Sequence, residues 1–594
     1  MGRSRKHVKF EPASFQSGLI AAGLKPDARG GYAVRRGDLD ATMRDLYVVT
    51  LAALAAVSCA HKPAETGSTT RDGHLAPLLK NLGSLHYGVS TKSAEAQQYF
   101  DQGLTLVYAF NHNEALRTFK EVARLDPSCA MAFWGQALAL APNINDSAIG
   151  PDREKQGHDA IVEAVKRKSS ATPAEQGLID ALDKRFSAGS EATREKMNQA
   201  YADAMASVHK QFPDDVDISV LYADAVMNTM PWDYWSKSKP RPGIAEARAA
   251  LEGALQRQPN NPGANHLYIH LMEASDEVDV AVPQADRLGS LVPAAGHLVH
   301  MPAHIYIRVG RYADAAAANV KAVAADEDYI TQCRAQGIYP AAYYPHNIHF
   351  LNAVLAMDGR SKEALEAATK LATKHDHDAL TTPGFGFAHL MKTIPYITMV
   401  RFGKWDEILA QPAPPADQPF SAVMFHFARG YAYSGTAKPG EAKEEMAAMR
   451  AAIKDPALKD LNILGGNTML QLSAIAEAML GGEISRRAKR FPAAIAEFQK
   501  AVRLEDALRY DEPPDWLLPP RQYLGEALLA AGRAKEAESV YREDLRRHRN
   551  NGWSLSGLEA ALRQQGKSKE ADDLKAQLAA VWSRADIPVS ASRL

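Results

Sequence analysis

Residues 103–140 read GLTLVYAFNHNEALRTFKEVARLDPSCAMAFWGQALAL, and the spacing of four of them decides the fold. Gly103, Ala115, Phe119 and Pro127 follow one another at intervals of twelve, four and eight, and Trp134 to Leu140 opens a second copy of the pattern. Each interval has a mechanical meaning. Small residues let two helices approach closely, an aromatic fills the gap to the next helix pair, and proline ends the second helix. Further along, Ala247, Leu251, Ala254 and Pro259 return as Ala281, Ala285, Leu288 and Pro293, thirty-four residues later, and Ala315 follows after another thirty-four. Towards the C-terminus Gly525, Ala537 and Tyr541 keep the spacing and Ala571 repeats Ala537, while Ala364, Ala494 and Phe498 mark further helix pairs. A repeat of this length belongs to stacked helical hairpins, each burying its face against its neighbours.

On these residues the sequence resembles the tetratricopeptide-repeat family, in which Gly103, Ala115, Phe119 and Pro127 take repeat positions 8, 20, 24 and 32. The resemblance covers roughly residues 90–580, with longer irregular stretches near 143–200, 229–243, 326–345 and 410–420. It implies an all-α right-handed solenoid of helical hairpins over 89–580, and a concave groove that binds a protein or peptide partner. The acidic and basic runs Lys443–Glu445 and Arg542–Asp544 read as solvated helix faces.

Composition agrees with that class. The chain has 594 residues, 46% apolar and 23% charged, the proportions of a soluble globular protein rather than a disordered or multi-span one. With 69 Lys+Arg against 70 Asp+Glu it has no overall field to gather nucleic acid. Cys59, Cys129 and Cys333 are too few for a disulfide framework or a four-thiolate zinc site. Cys129 and Cys333 read as small buried packing residues.

Cys59 has another reading. Residues 43–59, MRDLYVVTLAALAAVSC, place Arg44 ahead of an uncharged apolar run and small residues before a cysteine, the form of a secretion signal. The run is shorter than the ~20 residues of a membrane-spanning helix, so cleavage is expected rather than permanent spanning. Ala56-Val57-Ser58-Cys59 resembles a bacterial lipobox, which would make Cys59 the lipidated mature N-terminus, although Ala56 stands where leucine is usual. The alternative is a buried apolar helix. Residues 1–42 are unlike a signal and read as a non-native or disordered extension; 60–88 read as a tether and 581–594 as a flexible tail. The expected location is the cell envelope on the periplasmic side, with membrane contact only through the anchor.

Seven of the nineteen histidines fall between residues 266 and 349. In the repeat frame His266, His300 and His349 occupy position 5, His270 and His304 position 9, and His297 and His346 position 2. Spacings of three and four put these on one face of the first helix of each hairpin, and the family resemblance assigns that face to the groove within residues 262–352. The histidines are therefore expected to line the groove rather than the core. The pairs His266/His270 and His300/His304 can each chelate one ion, with Asp224 and Glu273 as additional candidate ligands. Imidazole without nearby thiolate suits zinc or copper, with iron also admitted, and argues against a closed structural zinc or a soft cuprous site; seven donors point to one or two ions. Two alternatives stay open: direct contact with a peptide or small ligand, and incidental polar packing.

Tyr268, Tyr306, Tyr343 and Tyr344 are candidate polar neighbours of the site, and Trp232, in the segment Pro231–Trp235, a candidate lid on the groove. Glu512–Trp516 reads as a rigid turn. Leu267 follows His266 and Met301 follows His300, so no HExxH zincin motif is formed, and no nucleophilic triad can be assembled from spacing. Two functions follow: an envelope scaffold that binds a partner and carries a metal in its groove, or a hydrolytic or oxidative metalloenzyme built on the same frame. No catalytic residue is named by either.

Overall fold

The structure, a computed structural model, describes residues 73–186, 193–333, 339–374, 380, 386–463 and 466–593. The chain divides into Met1–Leu51 and Ala52–Leu594, and the description below concerns the second unit. The expectations for residues 1–42, for the signal at 43–59 with Cys59, and for the first part of the tether lie outside the described residues. Among the described residues no helix is long and apolar enough to cross a membrane.

The architecture is an all-α array of helical hairpins running from Ala94 to Val581, as the repeat predicts. The one regular sheet among the described residues is the two-stranded ribbon Trp235–Ser236 against Lys239–Pro240. Helix boundaries follow local chemistry. Ser93, Thr172, Asp215 and Asn261 cap helix N-termini through their side chains, and Thr172 forms a full capping box with Glu175. The helices His112–Leu125, Ile244–Arg257 and Val282–Leu291 stop two residues before Pro127, Pro259 and Pro293. Proline cannot continue a helix and disfavours helical backbone in the residue before it.

The small and aromatic positions of the repeat meet in space. Phe119 is fully buried between Gly103 and Gly135, where an added Cβ would stand 2.6 and 2.4 Å from its ring. Tyr541 sits in the same way between Gly525 and Gly557, with Cβ approaches of 2.4 and 2.2 Å. One aromatic thus locks three helices, and only glycine leaves room for it.

Two expectations about the ends need correction. From His74 onward the stretch read as a tether is a strap pinned to the first hairpins. Glu121 accepts from His74 Nδ1 (2.6 Å) and the Leu75 amide (2.9 Å), Gln102 from the Leu79 amide (2.8 Å), and Glu175 from the Ser90 amide (2.6 Å). The C-terminal residues are no flexible tail either. Asp586 accepts the amides of Ser361 (2.7 Å) and Lys362 (3.0 Å), capping a helix more than two hundred residues earlier, while Arg593 pairs with buried Glu483 at 2.7 Å and lies 4.7 Å over the Tyr523 ring. The C-terminal hairpins also fold back on the middle of the array. Trp553 Nε1 donates to the Ala356 carbonyl (3.0 Å), Tyr312 Oη to the Arg549 carbonyl (3.0 Å), and Arg549 pairs with Asp279 (2.7 Å). Short polar sequences hide such contacts, because their partners are remote along the chain.

Burial alone would raise the Glu483 pKa, but Arg593 and Arg486 outweigh it and hold the carboxyl well below the usual range. Replacing Arg593 by alanine leaves Glu483 with Arg486 and Arg487 only. The expected cost is about 3 kcal/mol, the lower end of the range for breaking a buried pair, because two arginines remain. Urea unfolding of Arg593→Ala checks it, and an unchanged midpoint would mean that the tail contributes nothing.

Candidate metal centre

Six of the seven histidines come together, and they do so in two groups. His266 and His270, one turn apart on the helix Pro262–Met272, meet His297 from the short helix Gly296–His300. His300, three residues after His297, faces the other way along the array and meets His304, from the helix Pro302–Val309, and His346, from Tyr344–Met357. In each triad the ligand nitrogens lie within 4.8 Å of one another. The triads abut along two edges, with ring centroids 5.9 Å apart for His270 and His304 and 6.1 Å for His297 and His300.

The ring orientations are set from behind. His266 Nδ1 is 2.7 Å from the Tyr108 carbonyl oxygen, and His300 Nδ1 is 2.8 Å from Asn319 Oδ1. Glu273 holds two rings at once, with Oε1 2.7 Å from His270 Nδ1 and Oε2 2.5 Å from His304 Nδ1. Each of these acceptors takes an N–H, which fixes the tautomer and leaves Nε2 with the lone pair. The Nε2 atoms then point at one another: His266 to His297 at 3.1 Å, His300 to His304 at 2.8 Å, and His346 to His300 at 3.1 Å. His270 Nε2 and His297 Nδ1 are buried and have no hydrogen-bond partner among the described residues. Two lone pairs at 2.8 Å repel unless a metal ion or, on His304, a second proton stands between them. Imidazoles sharing one tetrahedral ion at the usual Zn–N length sit about 3.3 Å apart, so the spacing fits a shared metal with little adjustment.

Electrostatics favour neutral rings. Burial, reinforced by neighbouring imidazoles, pushes His266, His297, His300 and His346 well below the ordinary histidine value, and burial lowers His270 despite Glu273. His304 is the exception: Glu273 outweighs burial and raises it. Glu273 itself is driven down to about 2, the two imidazoles overcoming the upward push of burial. Neutral imidazole is the form that ligates.

The site differs from the expected groove. The histidines are interior: His266 and His300 are 0% exposed and only His346 is half-buried. The cover comes from distant segments. Phe110, in the turn after the helix Ala94–Tyr108, lies 4.6 Å from His266 and 5.3 Å from His297; Tyr343 lies 4.8 Å from His297; Phe350 lies 5.0 and 4.9 Å from His300 and His304. Trp232 stands edge-on to His270 at 5.1 Å.

His349 belongs to neither triad; it is buried, and burial lowers its pKa to about 4. Asp224 joins neither group, and its carboxylate accepts from Asn228 Nδ2 at 3.0 Å. Glu273 joins the site from behind the rings rather than as an inner ligand. Tyr268 and Tyr306 spend their hydroxyls on Glu252 and Asp286, each at 2.8 Å, and Tyr344 on Glu327 at 2.6 Å. Cys129 is fully buried, as expected of a packing residue, while the side chain of Cys333 lies outside the described residues. The Tyr108 carbonyl, Asn319, Phe110 and Phe350 carry no signal in the repeat frame and emerge only from the fold.

No family model and no curated protein matches the chain. Solved structures that resemble it include Cut9 of the APC/C hetero-tetramer Cut9–Hcn1 (13% identity, 83% of this chain and 76% of that chain, TM-score 0.27). Others are the human IFIT1 dimer with m7Gppp-AAAA (14%, 72% and 86%, 0.31) and yeast Tom70 (11%, 81% and 92%, 0.27). Superpositions this loose say nothing of partner or activity. The hairpin packing of the chain itself makes it a tetratricopeptide-like α-solenoid.

Proposed function

We propose that the chain is a metalloprotein whose solenoid holds two transition-metal ions side by side, each on three histidines. The observation that carries the reading is the convergence of Nε2 lone pairs in both triads, with each anchored ring turned inward by an acceptor behind it. Three protein donors leave a position open on each ion, the coordination of a centre that works on a small molecule rather than of a closed structural site. The aromatic cover removes the histidines from any groove-bound peptide, so a partner docks elsewhere on the solenoid. Export to the cell envelope with lipidation at Cys59 belongs to the same proposal and rests on residues 43–59 alone.

Protein purified without an affinity tag and analysed for zinc, copper and iron is expected to carry two ions per chain. A single ion, or none after incubation with each metal, overturns the reading.

A further inference from the structure

The donor set is all-neutral. Six imidazoles supply the inner ligands, and the carboxylate nearest them, Glu273, is spent on two ring N–H groups. A second carboxyl group, Glu512, is buried with Arg308 4.0 Å away, so this pair adds no net negative charge. One uncompensated negative charge therefore serves both ions. Two divalent ions would bring four positive charges into this interior and repel each other four times as strongly as two monovalent ions at the same separation. Thiolate, the ligand that most favours monovalent copper, is absent, which runs against the expectation from the sequence; the charge count is what favours it, because among the metals that imidazole suits copper has a stable monovalent state.

The walls choose the ligand. Phe110 stacks on the first triad, Phe350 packs on the second, and Tyr343 and Trp232 close His297 and His270. Glu512 keeps one buried oxygen, Oε2, without a hydrogen-bond partner among the described residues, and buried aromatic walls disfavour an anionic substrate. Phe110 (φ 55°) and Trp232 (φ 63°) both hold left-handed backbone conformations, unusual for bulky residues and over-represented at ligand sites. Trp232 is half-buried, so it stands between solvent and His270. What fits between two adjacent ions in such a cage is a small, neutral, apolar molecule able to accept electrons.

We propose that the two triads hold a cuprous pair and that this pair binds dioxygen between its ions. The inference rests on the two-ion reading above. Each cuprous ion gives up one electron and becomes cupric; dioxygen accepts both, its O=O double bond becomes a single bond, and its oxygens are held by the two ions. No proton is released and no other reductant is consumed in this step. Release of dioxygen returns both electrons.

The test uses the full chain, stripped of metal and reloaded with a cuprous salt without oxygen, then titrated with dioxygen. Two coppers per chain, uptake of one dioxygen per pair, and no paramagnetic signal from isolated cupric ions are expected, because two cupric ions bridged by one ligand couple magnetically. Protein loaded with zinc, which has no electron to give, should take up none. Two coppers with no dioxygen uptake, or with the signal of isolated cupric ions, would overturn the inference and leave the two-ion reading standing. Uptake by the zinc-loaded protein would overturn it too. Failure to bind two coppers or two zincs would remove the reading beneath it. The double variant His300→Ala, His304→Ala should keep one copper and lose dioxygen uptake; uptake undiminished in it would also refute the pair. If that variant does not fold, the zinc comparison on the natural chain still decides.

Discussion

With Glu273 replaced by glutamine, both metal sites lose affinity together, by about 10–100-fold each, the usual cost of removing a group that orients a metal-binding histidine. The reason lies in valence. One carboxylate accepts the Nδ1 protons of His270 and His304, which belong to different triads. A glutamine side chain has one acceptor oxygen and one donor nitrogen, so it can orient one of these rings and must present an N–H to the other. The ring facing that N–H turns or changes tautomer, and its Nε2 lone pair is lost to the ion. Removal of a buried negative charge also weakens the site for any cation, whichever ring keeps its bond. Competition with a chelator, followed at each metal equivalent, measures the effect. Weakening confined to one equivalent would mean that Glu273 serves a single site. Changing His266, His270, His300 and His304 to alanine instead removes two ligands from each triad, and both ions should go.

How much of this was legible in the sequence divides along the length of the contacts. Small, aromatic and proline positions act within one hairpin or between neighbours, so Gly103, Phe119 and Pro127 could be read from spacing alone, and Phe119 does lie between Gly103 and Gly135. The register of His266, His270, His300 and His304 was legible for the same reason, since residues three and four apart share a helix face wherever the helix ends up. What covers that face was not. Phe110 lies more than a hundred and fifty residues before His266, and the segment around Glu512 about two hundred after His304; neither has a local pattern that points to the histidines. The same holds for the ends. Asp586 caps Ser361 and Arg593 meets Glu483 through single polar contacts, which leave no periodic trace. The place of Glu273 is not legible in the sequence, because spacing shows that a carboxylate is near, and only the fold shows that it stands behind the rings.

Acidification should destabilise the metal-free chain through His112, which ties the fold to the wall of the first triad. Its pKa is lowered to about 3, chiefly by burial and then by Arg153, with Asp146 pulling weakly the other way and Arg185 adding to the depression. Nε2 is buried without a hydrogen-bond partner among the described residues, and the ring begins the helix His112–Leu125, whose N-terminal dipole also disfavours a cation there. The folded-state value lies below the unfolded one, ordinarily about 6.5, so the stabilisation is complete above that pH and is lost as the pH falls towards the folded-state value. Between pH 6.5 and 4 the loss is about 3 kcal/mol. Buried acids run the opposite way: Asp326 and Glu512, raised by burial to about 7, bind protons in the folded state first and gain stability on acidification. Their contribution is common to the natural chain and to His112→Gln, so the difference between the two proteins isolates the histidine. Urea unfolding in the presence of a chelator at several pH values should show the variant losing about 3 kcal/mol less over this interval; parallel curves would mean that His112 takes up its proton in the fold as readily as in the unfolded chain. Phe110 is two residues away and packs edge-on to His112 at 6.1 Å while stacking on His297 at 5.3 Å. Protonation strong enough to dislodge the first ring therefore loosens the second, and the first triad should lose its cover before the solenoid as a whole unfolds.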